Sequence, residues 1–229
     1  MDFKGHFAIR DGRCHPLTLL DDHSRYALGI AACVDERRET VQRQLTEVFG
    51  RYGLPYTMLM DNGAPWGNDA DHPHTVLTVW LLRAGIKIIH SRPRHPQTLG
   101  KYERFHRTLK AEVISACADK TIPQCQNLFD RWRKSYNTER PHEALAMAVP
   151  ATRYQLSGRA FPKILAEIEY GPADHVRKVQ DGGIISFKNR AFKIGKAFKG
   201  QRVAIRATNS DGQFDVFFSH QKISEVDWV

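Results

Sequence analysis

The sequence predicts a mixed α/β domain with flanking helices, followed by a small all-β domain. In the first half, apolar segments of strand length alternate with amphipathic helical segments, and this order favours a sheet that includes parallel strands. From Asp174 onward only short strand patterns remain, separated by turn residues. We therefore expect one domain over 1–148, a linker over 149–173 with a short helix around Lys163 to Ile168, and a β domain over 174–229.

The elements of the first domain follow in order from local patterns. A short strand near Asp2 precedes two strand patterns that the turn residues Asp21 to Arg25 separate. A helix over Glu39 to Tyr52 is expected to end at Gly53, because glycine readily takes the C-cap conformation. The later segments are a strand over Thr57 to Met60, a helix over His74 to Ala84, a strand over Ile86 to Ile89, a loop over Ser91 to Gly100, a helix with its apolar stripe from Tyr102 to Ala116, and a helix introduced by a capping box at Thr121 to Gln124.

The second domain is expected to contain five strands. It carries ten Lys or Arg residues against six Asp or Glu residues, so its net charge is positive. The strand patterns cover Val176 to Val179, Ile184 to Lys188, Ala191 to Ile194, Arg202 to Ala207 and Phe214 to Phe218.

The charge of the chain points to a polyanionic partner. The formal net charge is +9, and seven Lys or Arg residues lie between Lys87 and Lys110, where Glu103 is the single acid. Nucleic acid is the first candidate for such a partner. No apolar run approaches the roughly 20 residues of a membrane span. The four cysteines form no Cys-x-x-Cys pair, which favours a reducing, cytoplasmic setting over a disulfide framework or a structural zinc.

Three carboxylates stand out as candidate metal ligands. Asp61 follows an apolar strand at the edge of a sheet where ligands commonly bind, although Asp-Asn-Gly is also an ordinary turn. Glu103 lies in a basic helix, where it could equally form a surface pair with Arg107. Asp2 lies on the first strand and could instead be a frayed terminal residue. Together they would offer the hard oxygen ligands that Mg²⁺ prefers, with Mn²⁺ as a substitute.

Six motifs in sequence order carry a family resemblance. They are Asp2-Phe3-Lys4-Gly5, Leu20-Asp21-Asp22-His23-Ser24-Arg25, Asp61-Asn62-Gly63, Arg94-His95-Pro96-Gln97-Thr98, Gly100-Lys101-Tyr102-Glu103-Arg104 and Tyr136-Asn137-Thr138-Glu139-Arg140-Pro141-His142. Over roughly Met1 to Tyr154 the chain resembles the integrase core of bacterial insertion-sequence transposases, which is similar to the retroviral integrase core. The resemblance implies a ribonuclease H-like fold with an Asp, Asp, Glu triad at Asp2, Asp61 and Glu103.

The same resemblance implies a function on DNA. Such cores cut transposon ends and join them to target DNA, and they assemble as oligomers on DNA. By position and composition, the β domain resembles the C-terminal DNA-binding barrel of integrases. The residues expected to contact DNA are Arg94, His95, Gln97, Lys101, Arg104, Arg107, Lys110, Lys188, Arg190 and Lys193.

The chain departs from the family pattern at two places. Asp61 and Glu103 are separated by 41 residues, more than is usual, and we attribute the excess to a surface loop at Trp66 to His74. Full-length relatives carry helix-turn-helix domains before the core, so the chain looks like a fragment and is expected to bind DNA with little sequence preference alone. A nuclease on the same fold and a non-catalytic DNA-binding remnant remain alternative functions.

Other charged residues are expected to have structural roles. Asp21 and Asp22 fit a turn better than a metal site. Asp69 and Asp71, beside His72 and His74, fit a solvated loop. Arg140 to His142 is expected to pack the end of its helix against the core.

Overall fold

The computed structural model describes residues 1–67, 73–91 and 100–228. The chain divides into two compact units, each built from two separate segments. Unit 1 consists of Met1–Leu54 and Ser91–Phe161, and unit 2 consists of Pro55–His90 and Pro162–Val229.

Unit 1 combines four strands with three helices. Its strands are β1 (Asp2–Phe3), β2 (Phe7–Ile9), β3 (Gly12–Leu20) and β4 (Ala27–Cys33). The α-helices are numbered in chain order. Unit 1 contains α1 (Arg38–Tyr52), α3 (Gly100–Glu112) and α4 (Ile122–Thr138), and unit 2 contains α2 (Val76–Arg83).

The sheet of unit 1 is built around β3. Strand β3 pairs antiparallel with β1, β2 and β4, so it satisfies the backbone hydrogen bonds of three neighbours along its length. Its register places Thr18 opposite Asp2 on one side and opposite Ile30 on the other.

The helices of unit 1 bury the faces that their sequences predict. On α3 the residues Tyr102, Phe105 and Leu109 are buried, and on α4 the residues Phe129 and Tyr136 are buried. All of these except Tyr102 pack with apolar residues of the sheet into a shared core, which also contains Cys14, Cys117 and Cys125. All four cysteines of the chain are buried and free.

Two predicted helix ends are confirmed. Gly53 follows α1 with a φ of 77° and donates its N–H to the carbonyl of Phe49, which ends the helix. Thr121 and Gln124 form a reciprocal capping box at the start of α4, in which Gln124 Oε1 accepts the backbone N–H of Thr121.

Unit 2 combines a parallel strand pair and the helix α2 with an all-β region. Its strands are β5 (Thr57–Met60), β6 (Lys87–His90), β7 (His175–Lys178), β8 (Ile184–Phe187), β9 (Arg190–Lys193), β10 (Arg202–Ala207), β11 (Gln213–Phe218) and β12 (Gln221–Asp227). Strands β5 and β6 pair in parallel, whereas β12, β11, β10 and β7 form an antiparallel sheet and β8 and β9 form a hairpin. With the antiparallel sheet of unit 1, these elements confirm the mixed α/β fold with a C-terminal β region.

The two segments of unit 2 make direct contacts. The side-chain amide of Gln221 accepts the N–H of Ile88 at 3.0 Å, so residues of β12 and β6 are joined by a hydrogen bond. The ring of His74 packs edge-on against Phe198 with centroids 5.2 Å apart. The residues around α2 and β6 therefore belong to one compact unit with the C-terminal β strands.

Three predictions about local structure are wrong. Residues 163–168, all within the described part of the chain, form no helix, and Ile164 is 85% exposed, so its apolar side chain stays in solvent. Within 174–228 the β region has six strands instead of five, since Gln221–Asp227 alternates too few apolar residues to give a strand signal. Trp66 is not part of a surface loop, because it is only 2% exposed.

Candidate active site and nucleic-acid interface

Asp2 is positioned by a hydrogen-bonded threonine on the neighbouring strand. The hydroxyl of Thr18 donates to the backbone carbonyl of Asp2 at 2.9 Å. The same hydroxyl oxygen lies 2.7 Å from Nε2 of His106 on α3. Because the hydroxyl proton is directed to Asp2, the imidazole N–H is the donor of the second bond. Thr18 therefore connects the backbone of β1 to α3.

His106 faces Asp2 without neutralising it. Its Nδ1 lies 3.9 Å from a carboxylate oxygen of Asp2. Burial lowers the pKa of His106 to about 4, and the nearby Lys4 acts in the same direction. The imidazole is consequently uncharged at neutral pH and forms no ion pair with Asp2.

A tyrosine fixes the first turns of α3 on the sheet. The hydroxyl of Tyr102 accepts hydrogen bonds from the N–H of Leu20 at 3.1 Å and from the amine of Met1 at 2.5 Å. Burial raises the pKa of Tyr102, so the phenol stays protonated. Because this anchor is the residue immediately before Glu103, the backbone of Glu103 is held next to β1 and β3.

Glu103 lies on the side of α3 that carries the contact with Asp2. Residues three apart on a helix share a face, and Glu103 precedes His106 by three positions. The side chain of Glu103 is exposed. Asp2 thus lies beside the helix that carries Glu103.

Asp61 lies in unit 2, directly after β5. Its backbone carbonyl is 3.0 Å from Nδ1 of His90, the last residue of the parallel strand β6. One oxygen of its carboxylate accepts the N–H of the next residue, Asn62, at 2.7 Å. The strand end therefore fixes the backbone at Asp61, while its side chain is exposed.

The donor chemistry of these residues suits a hard divalent cation. Carboxylate oxygens are the ligands that Mg²⁺ and Mn²⁺ prefer. Among residues 1–67, 73–91 and 100–228, no three His, Cys, Asp or Glu side chains are arranged as a ready metal site. Asp2, Asp61 and Glu103 accordingly remain predicted ligands.

Basic side chains extend along α3 from the candidate carboxylates. Arg104, Arg107 and Lys110 are exposed, as phosphate contacts require. Lys101 is held by Asp22, with Nζ 2.5 Å from Oδ1. Three further residues predicted to contact DNA, Arg94, His95 and Gln97, lie outside the described residues, as do Asp69 and Asp71.

The predicted DNA contacts of the β region lie on the hairpin of β8 and β9. Lys188 occupies the hairpin turn with a φ of 46°, and its Nζ lies 4.5 Å from the ring centroid of Phe214 and 4.8 Å from that of Trp228. Arg190 lies over Trp228 and donates to its carbonyl at 2.6 Å. Trp228 is 39% exposed, so these two cations and an aromatic ring form one accessible surface. Lys193, farther along β9, is also exposed.

The residues that position Asp2 carry no local sequence signal of that role. Periodicity assigns Tyr102 only to the apolar stripe of α3, and it marks neither Thr18 nor His106. Tyr102 and His106 are four residues apart on α3 and flank Glu103. The signal that the sequence offers is that these two polar side chains lie on the same side of the helix as its buried stripe. The predicted turn role of Asp21 is confirmed, because its carboxylate accepts the N–H of Ser24 at 2.8 Å.

Family models match most of the chain. Two models described as "Integrase core domain" match residues 1–96 and 84–150. A third, described as "IS481 family transposase, C-terminal domain", matches residues 174–229. Integrase core domains generally use divalent metal ions, and as a family they act in DNA integration and transposition.

Two similar proteins extend this finding. The chain is 26% identical over 151 residues to the "Insertion element IS476 uncharacterized 39.2 kDa protein" of Xanthomonas euvesicatoria, covering 66% of this chain and 42% of that protein. The chain thus spans less than half the length of this relative. A chain in a cryo-EM structure of a simian T-cell lymphotropic virus intasome, in complex with PP2A regulatory subunit B56 gamma, is similar with a TM-score of 0.54 and 14% identity, covering all of this chain and 77% of that chain. At this identity the likeness establishes the fold, which is the ribonuclease H-like fold of integrase cores.

In the described parts of the chain, no helix combines the length and apolarity needed to cross a bilayer.

Proposed function

Because this chain joins an integrase core domain to the C-terminal domain of IS481 family transposases, we propose that it is a metal-dependent polynucleotidyl transferase of DNA transposition. Its substrates are transposon ends and target DNA. Water attacks a phosphodiester at the transposon end, which breaks the P–O bond to the 3′ oxygen and frees a 3′-hydroxyl. That hydroxyl then attacks a phosphodiester of the target and displaces another 3′ oxygen.

The observation that carries this proposal is the placement of Asp2 beside α3. Thr18, His106 and Tyr102 hold the backbones of Asp2 and of the start of α3 together, and α3 carries Glu103. Such bonds limit the movement of two carboxylates that must act on one phosphate. Asp61 is the proposed third member, since its Asp-Asn-Gly motif follows a parallel strand.

Asp2, Asp61 and Glu103 would hold Mg²⁺, for which Mn²⁺ substitutes. The chemistry that bound divalent ions supply is activation of the attacking oxygen and stabilisation of the leaving oxygen at phosphorus. The uncharged His106 leaves the negative charge of Asp2 in place for a cation. Arg104, Arg107 and Lys110 would hold phosphates of the DNA, and Lys188, Arg190 and Lys193 would bind backbone farther along it.

Oligomerisation on DNA is part of the proposal. Two transposon ends are joined to one target, and in this proposal each end is joined by its own catalytic core, so at least two copies assemble on the DNA. The similarity to a chain of a viral intasome supports an integrase-type fold for each such core.

The carboxylate roles can be tested with Glu103→Gln and Asp61→Asn. Each change keeps the side-chain size and removes the charge that would hold the cation, so we expect cleavage of labelled ends to fall at least about a hundredfold. DNA affinity should change little, because the basic residues are intact. The measurement is cleavage of end-labelled duplex at saturating Mg²⁺, with affinity measured by fluorescence anisotropy.

The matched control is Glu47→Gln on α1, where the glutamate is exposed. This variant should cleave like the wild type. Cleavage by Glu103→Gln at the wild-type rate would remove Glu103 from the site. A strand-joining assay with the same ends separates a transferase from a nuclease, and DNA binding without cleavage by the wild type would favour a non-catalytic protein.

A further inference from the structure

A cleft of about 540 Å³ opens in unit 1 between the start of α3 and the turn that follows α4. Its floor is apolar and aromatic and includes Leu20, Phe105 and Tyr136. The Tyr136 ring is fixed by stacking on Trp132 and by an edge contact with Phe105, each with centroids 5.0 Å apart. The floor is therefore a rigid surface.

The rim of the cleft is strongly basic. Four cations, Arg25, Lys101, Arg104 and Arg140, line it, and Glu143 is the single acid among the described residues of the lining. This imbalance favours an anionic occupant.

Oxygen atoms of neighbouring residues hold three of these cations in place. Lys101 contacts the Asp22 carboxylate, Arg25 donates to the Asp22 carbonyl, and Arg140 pairs with Glu112. A guanidinium has five N–H donors, so one such contact leaves others for a second anion. The rim is thus preorganised and retains capacity to bind a phosphate.

His142 adds an unsatisfied polar atom to the cleft. Its ring packs edge-on against Tyr136 with centroids 4.7 Å apart, and the residue lines the cleft. Its Nε2 is buried and meets no hydrogen-bond partner among the residues that the structure describes. A buried polar atom without a partner is costly, unless a ligand completes the bond.

We propose that this cleft binds one unpaired nucleotide of the DNA, with its base against the apolar floor and its phosphate on the basic rim. A volume of about 540 Å³ suits one small molecule and is far too small for a base-paired duplex. A phosphate alone would gain nothing from the aromatic floor, whereas a base gains from contact with aromatic rings and offers hydrogen-bonding edges to His142.

The inference deepens the proposed function and rests on it. Cutting one strand near a DNA end leaves nucleotides of the other strand without partners. The start of α3 contributes both Glu103 and the rim residues Lys101 and Arg104. Lys101, Arg104, Phe105 and Thr108 line the cleft from one face of α3, whereas Glu103 lies on another face. An unpaired nucleotide in the cleft would therefore lie across the helix from Glu103, about one helix diameter of roughly 10 Å away, and would anchor the cut end.

The test compares two DNA substrates of equal duplex length, one blunt and one with a single-nucleotide 5′ overhang. Affinities of the full chain are measured by fluorescence anisotropy in EDTA, so that no cleavage occurs. We expect the wild type to bind the overhang substrate about tenfold more tightly, in keeping with the contribution of one stacked base. A 2-aminopurine placed in the overhang should lose fluorescence on binding.

Three variants locate this preference. Ala144→Trp fills the cleft, Arg104→Gln removes a rim cation, and Arg107→Gln makes the same charge change one turn along α3, outside the cleft lining. The first two should reduce the preference to about twofold or less. Arg107→Gln should weaken binding of both substrates equally and keep the preference. If circular dichroism shows that Ala144→Trp does not fold, the overhang preference of Arg104→Gln is compared with that of Arg107→Gln, and this comparison tests the inference.

Equal wild-type affinity for the two substrates would overturn the inference, as would an unchanged preference in Arg104→Gln. The two proposals fail separately. If the wild type cleaves DNA but shows no overhang preference, the proposed function stands and the nucleotide-binding role of the cleft is refuted. If the wild type prefers the overhang but cleaves no DNA, the cleft binds a nucleotide and the proposed catalytic function is refuted.

Discussion

The hydroxyl of Thr18 joins two strands and a helix through two hydrogen bonds. It lies on β3, is fully buried, and contacts the backbone of Asp2 and the ring of His106. Motifs in the sequence mark Asp2 as a candidate ligand, but the support for Asp2 depends on a residue 16 positions later in the chain and another 88 positions beyond that. Such support is invisible to local patterns, because pairing between elements creates it.

Replacing Thr18 with valine should destabilise unit 1. The change keeps the shape of the side chain and removes the hydroxyl that bonds to His106 Nε2 and to the Asp2 carbonyl, so we expect a decrease of roughly 1–3 kcal/mol in the free energy of unfolding. Urea denaturation followed by circular dichroism measures it. Thr46→Val on α1 is the control, since that exposed hydroxyl donates to the carbonyl of Gln42 in its own helix. Equal effects of the two changes would show that the Thr18 bonds contribute little.

At the scale of elements, α2 illustrates how a terminus is fixed by both local and distant contacts. Thr75 and Thr78 form a reciprocal capping box at its start. Just before it, His74 packs on Phe198 of the C-terminal region, and its Nδ1 meets no hydrogen-bond partner among the described residues. Burial lowers the pKa of His74 to about 4, and the neighbouring His90 adds to the shift.

The buried His74 should make stability depend on pH. In the unfolded chain a histidine has a pKa of about 6.5. Since the folded pKa is lower, the unfolded state binds the proton more readily, and stability present above about pH 6.5 is lost as the pH falls toward 4. We expect His74→Phe to lose less stability than the wild type between pH 7 and pH 5, as measured by urea denaturation at each pH.

The control for this comparison is His220→Phe, which changes an exposed histidine of the same unit. It should keep the pH dependence of the wild type. His106, whose pKa is also lowered to about 4, should leave a residual dependence in every variant. A pH dependence in His74→Phe as steep as that of the wild type would refute the role of His74.

At the scale of the whole molecule, the C-terminal β region packs against other elements besides its proposed role in DNA binding, and deleting it would affect both. Its strands belong to one compact unit with β5, α2 and β6, through contacts such as Gln221 with Ile88. Removing 174–229 would uncover these elements as well as remove basic residues. Point substitutions on the β8–β9 hairpin therefore test DNA binding more cleanly.

Replacing Lys188, Arg190 and Lys193 singly with glutamine should flatten the salt dependence of DNA binding. For each DNA phosphate that a variant no longer neutralises, the slope of log affinity against log salt concentration should fall by about 0.9. Lys199→Gln is the control, because Lys199 lies 3.0 Å from Asp181 and has a local partner. Slopes equal to the wild type in all three variants would assign the hairpin to folding or assembly.

Periodicity, caps and turn residues within short segments were enough to predict the mixed α/β class, the position of most helices and strands, and the order of the carboxylate motifs. Gly53 after α1 and the Thr121 capping box are examples of such local signals. The predictions were wrong where the local sequence pattern did not match the burial of the residues in the folded chain. The polar strand Gln221–Asp227 gave too little signal, and the apolar residues of 163–168 gave a helical signal although Ile164 stays in solvent.

Only the tertiary structure shows which residues that are distant in the sequence share a site. Folding places Thr18 and His106 around Asp2, Tyr102 under the start of α3, and the basic rim of the cleft from three separate segments. It also groups residues 55–90 with the C-terminal strands. This is so because burial and hydrogen bonding act between surfaces brought together by folding, and a surface is assembled from residues whose separation in the sequence is arbitrary.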